Sequence, residues 1–134
     1  MTVKTNSIKI NTSKHFEIID ITSKINEEID INEGIVNIFS KHSTSAIAVN
    51  ENESGLLEDL ELMLKDLVSD KYSWQHDLID NNAKSHLKSF LLSSSETIPI
   101  SNGKLDLGTW QSVFFIELDG PRKDRIVNLT FIND

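Results

Sequence analysis

Cysteine is absent from this 134-residue chain, which removes disulfide scaffolds, thiolate zinc sites and cysteine nucleophiles from consideration. The absence agrees with a cytosolic protein. Positive charge is scarce. Lysine and arginine total 13 against 21 aspartates and glutamates, for a net charge of −8. Nucleic acid and anionic membranes both need a positive field, so neither is expected as a partner. Long apolar runs are missing too: the longest stretch of large apolar residues is Val113-Phe114-Phe115-Ile116, against roughly 20 residues needed to span a bilayer. The first fourteen residues lack the apolar centre of a secretory signal, and the expected location is cytoplasmic. No Walker-type phosphate loop is present, nor a Pro/Gly/Ser tract long enough to link two domains.

What is there suits one folded domain spanning residues 1–134. Hydrophobic residues reach 38% and charged residues 25%, which argues against disorder. A chain of this length buries roughly two-thirds of its unfolded surface, enough for a core without covalent staples. Strands are predicted over 3–10, 15–22, 35–40 and 45–50, with a short helix from Thr22 or Ser23 to Ile29. A longer helix is expected from Glu53 to Val68, capped by Asn52 or Ser54. Leu56, Leu60, Met63, Leu64, Leu67 and Val68 fall on its apolar side. A second, from Asn81 to Leu92, would turn Ala83, Leu87, Phe90 and Leu91 inward. Asn102-Gly103 favours a tight hairpin between 97–100 and 105–107. Segments 111–118 and 125–132 are the best strands, joined through Asp119-Gly120-Pro121. The elements do not alternate as parallel βαβ units would, so the fold class is α+β, a mainly antiparallel sheet with two principal helices.

Candidate functional residues are polar and scattered. His42, His76 and His86 lie near polar clusters, where imidazole serves as a metal ligand or as an acid–base group. Their spacing matches no compact zinc motif, and local satisfaction of backbone groups is an equally simple role. His15, alone on an early strand, is assigned that local role. Glu51 stands at a strand-to-helix junction, where a carboxylate is either functional or favoured by the helix dipole. The only two arginines, Arg122 and Arg125, follow Gly120-Pro121. They suit phosphate or carboxylate recognition, and structural ion pairing is the competing reading. Ser43 and Thr44 add hydroxyl donors. Trp110 is read as a core or subunit-interface anchor and Gln111 as a polar site residue, while Ser93-Ser94-Ser95 reads as a helix-ending loop.

The order of these pieces resembles the YjbQ family, a UPF0047-type family also named for secondary thiamine-phosphate synthase activity. The resemblance rests on the run from His42 to Asp59 (HSTSAIAVNENESGLLED), on His76, on Asn82-Ala-Lys-Ser-His86, on Gly103-Lys-Leu-Asp-Leu-Gly-Thr-Trp-Gln111, and on Asp119-Gly-Pro-Arg122. It covers nearly the whole chain. It implies a small α+β domain assembling as a homotrimer with polar clefts between subunits. The family's recurring histidines fall on His42, His76 and His86, and its recurring acids on Glu51 and Asp59. Two departures stand out: Ser93 occupies a position where the family often has glycine, and Lys-Asp-Arg follows Arg122 in place of a tighter basic run.

The function the resemblance implies is weak thiamine-phosphate synthesis, joining a pyrimidine methyl diphosphate to a thiazole phosphate with release of pyrophosphate. On that reading His42, Glu51, His76 and His86 are catalytic. Ser43, Thr44, Gln111, Arg122 and Arg125 hold phosphate, and a divalent metal (Mg or Zn) sits on His42, His76 and His86. The alternative is a non-catalytic homotrimer that binds a metal or a small anionic, phosphorylated metabolite.

Overall fold

A computed structural model describes residues 1–134. In chain order the elements are β1 (Thr2–Ile10), β2 (Glu17–Asp20), α1 (Thr22–Glu28), β3 (Gly34–Ser40), β4 (Ser45–Glu51) and α2 (Ser54–Leu67). A short 3-10 turn, Gln75–Leu78, precedes α3 (Ala83–Leu92), β5 (Ser95–Ser101), β6 (Lys104–Leu105), β7 (Gln111–Glu117) and β8 (Arg125–Asn133). All pairings are antiparallel and form two sheets, a five-stranded one in the order β1-β8-β3-β5-β6 and a three-stranded one in the order β2-β7-β4. The α+β expectation holds.

Strand alternation builds the main core between the two sheets. Ile8, Ile10, Val36, Ile38, Val127, Leu129 and Phe131 come from one sheet and meet Ile47, Val113 and Phe115 of the other. The next residues along β7, Phe114 and Ile116, point the opposite way and pack with Leu57 and Leu60 of α2. β7 is therefore buried on both faces. That explains its unbroken apolar run, which would be wasteful in a strand with one wet side.

The helices bury less than their sequences suggest. In α2 only Leu64 is fully buried, while Leu67 is 59% and Met63 48% exposed. Its cap is Glu53, whose carboxylate accepts from the N–H groups of Gly55 (2.6 Å) and Leu56 (3.0 Å), in place of Asn52 or Ser54. The inward face of α3 consists of Ala83, Ser85 and Ser89, and Phe90 and Leu91 face outward. The reason is close approach. Ser85 Oγ donates to the carbonyl of Leu118 and Ser89 Oγ to that of Ser45, both at 2.6 Å, so small hydroxyl residues hold the helix where leucines would not fit. β2 is shorter than predicted and leaves His15 in the bend before it.

Candidate functional site

One end of the molecule collects the polar side chains, and a buried ion pair organises it. Glu117, the last residue of β7, is fully buried, and Arg125, the first of β8, is 5% exposed. Their side chains form a bidentate pair, with Arg125 Nε donating to Glu117 Oε1 at 2.9 Å and Nη2 to Oε2. Thr12 Oγ1 donates to Glu117 at 2.7 Å, and Arg125 reaches Thr44 Oγ1 at 3.0 Å. Burial alone would raise the Glu117 pKa. The hydrogen bonds from Arg125, Thr12 and the Asp119 N–H outweigh it and hold the carboxyl below its ordinary value. Arg125 is thereby committed to structure. Its bonds to Glu117 and Thr44 run through Nε and Nη2, and Arg125 also borders a polar cleft, while a guanidinium pulled away from Glu117 would leave a buried carboxylate unpaired.

The loop between β7 and β8 carries the second layer. Asp119 Oδ2 accepts from Arg122 Nη2 (3.0 Å) and from Asn82 Nδ2 (2.9 Å), while Arg122 Nε donates to the Asp119 carbonyl (3.0 Å). A carboxylate can only accept, so the Asn82 amide nitrogen faces Asp119 and its oxygen faces His76. His76 Nε2, 3.0 Å from that oxygen, is then the donor. The His76 ring meets His86 edge-on, with centroids 4.7 Å apart. Gly120 permits the tight approach of this loop, since a Cβ there would stand 2.2 Å from the Lys14 carbonyl oxygen.

His42 is set by a different bond. The N–H of Ile126 donates to its Nε2 at 2.8 Å, so Nε2 is bare and Nδ1 bears the hydrogen. Burial, with a further push from the Arg125 charge, lowers its pKa. At neutral pH His42 is an uncharged ring with one free donor. It lines, with Ser43, Thr44, His86, Asp119 and Arg122, a cleft of about 310 Å³ that has no hydrophobic wall. An adjoining cavity of about 590 Å³ shares His42 and His86 but is flanked by Phe39 and Phe90.

The structure thus brings His42, His86, Ser43, Thr44 and Arg122 around one hollow, with His76 against His86. Glu51 and Gln111 lie elsewhere. They face each other across β4 and β7, roughly 20 Å along the strand from Ser45 at about 3.3 Å per residue. Glu51 borders an apolar groove with Leu56, Leu60 and Met63, and Gln111 Oε1 accepts from the Gly108 N–H at 2.8 Å. Trp110 is 73% exposed, which removes a core role within the chain. The fit for a metal on His42, His76 and His86 is poor. Two of the three Nε2 atoms are engaged, and one chain holds no group of three His, Asp or Glu side chains able to share an ion.

Sequence reasoning missed Asn82, Asp119 and Glu117 as site-building residues. Glu117 had a readable signal, a carboxylate ending an otherwise apolar buried strand. Asp119 had one too, as an acid three residues before one of only two arginines.

Residues 6–134 match a family model described as "UPF0047 protein YjbQ-like". A UPF0047 protein of Methanothermobacter thermautotrophicus is 54% identical over 129 residues, covering 94% of this chain and 90% of its own. The Bacillus subtilis UPF0047 protein YugU is 34% identical, with 87% and 90% covered. Among solved structures, a YbjQ-like protein of unknown function from Sulfolobus solfataricus superposes with a TM-score of 0.92 at 40% identity, covering 99% of each chain. A hypothetical protein from Aeropyrum pernix gives 0.91 at 36% identity, with 98% and 99% covered. These relatives carry family designations or descriptions of unknown function, and none is described as making thiamine phosphate. The expectation of thiamine-phosphate synthase activity is corrected accordingly. On this match over nearly its full length, the chain belongs to the YjbQ-like UPF0047 family.

Proposed function

We propose that the protein binds a small phosphorylated metabolite in the cleft between the β3–β4 turn, α3 and the β7–β8 loop. The observation that carries this reading is the wholly polar lining, where a neutral His42 with a free Nδ1–H stands with two hydroxyls and the one arginine not buried in an ion pair. Arg122 is anchored through Nε and Nη2 to Asp119, which leaves Nη1 as its free donor group. A pre-oriented guanidinium gives up little freedom when an oxyanion arrives. A neutral imidazole adds a hydrogen bond without a charge that would need compensation in an empty cleft.

Three-fold self-association is part of the proposal. Phe90 is 85% exposed and Phe39 41%, and both flank the cavity that shares His42 and His86. A neighbouring copy laid over them would remove apolar surface from water beside the cleft. No helix is long and apolar enough to cross a membrane, and the cytoplasm is the compartment this reading assigns.

The test is titration with inorganic phosphate and pyrophosphate by isothermal calorimetry, run on the parent protein, Arg122→Met and Ser43→Ala. Losing one charge-assisted hydrogen bond is expected to weaken binding about tenfold or more in Arg122→Met, with a smaller loss in Ser43→Ala. Equal affinity in all three proteins overturns the reading. Sedimentation equilibrium giving a monomer would overturn the assembly.

A further inference from the structure

Helix α3 separates two different clefts. His86, Ser89 and Phe90 border the one described above. Lys84, Ser85 and Lys88 line another on the far side, a space of about 610 Å³ closed by α2 and the turn after it. Lys84 and Lys88 are one helical turn apart and share a face. Lys65 of α2 faces the same space, so three of the eleven lysines of an acidic chain converge there.

Their pairing is unequal. Lys65 contacts Glu61 at 3.4 Å and Lys84 is bonded to Asp70. The third carboxylate of the cleft, Asp77, is occupied by the Ala83 N–H at 2.9 Å. Lys88 has neither a carboxylate partner nor a hydrogen bond, although its side chain is part-buried. Burial and the charges of Lys84 and Lys65 disfavour its ammonium form and outweigh the opposing pull of the Glu61 and Asp70 carboxylates. Three amines placed together, one of them without a hydrogen-bonded partner, repel one another. An added anion would relieve that repulsion.

We propose that this cleft is a second, separate binding site, for an oligophosphate group of at least two linked phosphates, with Lys88 as its central contact and Lys65 and Lys84 as flanking ones. Linked phosphates present several oxyanions at once, which suits ammonium groups carried on two helices. The carboxylates of Glu61 and Asp70 do not block the site, because exposed ion pairs are worth about 0–1 kcal/mol and exchange readily for a better anion. Ser85 already donates to the Leu118 carbonyl and the Asn82 amide is held by Asp119 and His76, so the ammonium groups and the Asn81 amide supply the contacts.

The probe is tripolyphosphate, titrated at about 0.1 M salt to suppress diffuse attraction, into the parent protein, Lys88→Met, Lys88→Arg and Arg122→Met. Lys88→Met is expected to lower affinity about tenfold or more, the scale of one charge-assisted contact, while Lys88→Arg stays within about threefold. Arg122→Met should leave this site untouched, which keeps its failure distinct from failure of the first cleft. Unchanged melting temperature and unchanged monophosphate binding in Lys88→Met show that the variant is folded. Parent-like tripolyphosphate binding by Lys88→Met, or its complete loss in Arg122→Met, overturns the proposal.

Discussion

Ser93 gives the sharpest stability test. It ends α3 with φ 77° and ψ 159°, a region that L side chains occupy at a cost of about 1–3 kcal/mol and that glycine enters freely. Its side chain is exposed and makes no hydrogen bond, so truncation removes no contact. The main chain does the holding there. Ser93 N–H donates to the Ser89 carbonyl at 2.9 Å, and the Ser93 carbonyl accepts from the Ile47 N–H at 3.2 Å. Both bonds survive in Ser93→Gly. Against the relief stands the greater freedom of glycine in the unfolded chain, about 0.5–1 kcal/mol. The net expectation is a gain of roughly 0.5–2 kcal/mol, or several degrees in melting temperature at about 4 °C per kcal/mol for this length. Ser94→Gly is the internal control. The φ of Ser94 itself is not positive, so glycine there brings only the entropic loss and should lower the melting point. Urea unfolding of both variants decides it. A Ser93→Gly midpoint at or below the parent's would show that the backbone is not strained.

Three more outcomes follow from the polar end. Arg125→Met strands a buried carboxylate and is expected to cost about 3–5 kcal/mol; adding Glu117→Leu should recover part of that loss, and no recovery in urea unfolding would refute the pairing argument. Stability should be greatest above about pH 6.5 and fall in two stages on acidification. The folded pKa of His42 is depressed below its ordinary 6.5, so the unfolded chain takes up the proton first and stability drops from that value downward. Glu117 and Asp20, also depressed, add a second loss below their ordinary values near 4. A flat unfolding midpoint from pH 8 to pH 5 would contradict the His42 assignment. Gly120→Ala forces a Cβ to 2.2 Å from the Lys14 carbonyl and 2.7 Å from Glu117 Cγ. It should cost about 1–3 kcal/mol as overpacking and weaken phosphate binding by displacing Arg122, measured by calorimetry.

Much of the fold was legible because period-2 alternation and turn chemistry are local. The strands around Ile8, Val36, Ile98, Val127 and Phe131, and the turn at Asn102-Gly103, follow from neighbours in the chain. The division into two sheets was not legible, since it depends on which strands pair across more than a hundred residues, as β1 with β8. The inward face of α3 was misread for a related reason. Periodicity ranks Phe90 above Ser89 as core, and only the 2.6 Å bond to the Ser45 carbonyl shows that the helix lies too close for a large side chain. Convergence of His42 with His86 was visible as shared polarity and motif order. The fate of each ring nitrogen was not, because the Ile126 N–H and Asn82 that decide it are not adjacent in sequence.

The two arginines show how an acidic chain can hold the donors of the proposed anion site in place. Arg125 lies inside, neutralised by Glu117, and fixes the start of β8 against the end of β7. That anchoring ties together the two ends of the intervening loop, and within it Arg122 is held by Asp119 through two of its nitrogens. If both arginines were exposed, each would be drawn to the nearest surface carboxylates, of which there are many. By burying one cation to shape the loop and tethering the second by one edge, the fold leaves a directed donor surface facing His42. The charge of the cleft is modest; its selectivity would come from donor placement, which long-range screening does not erase.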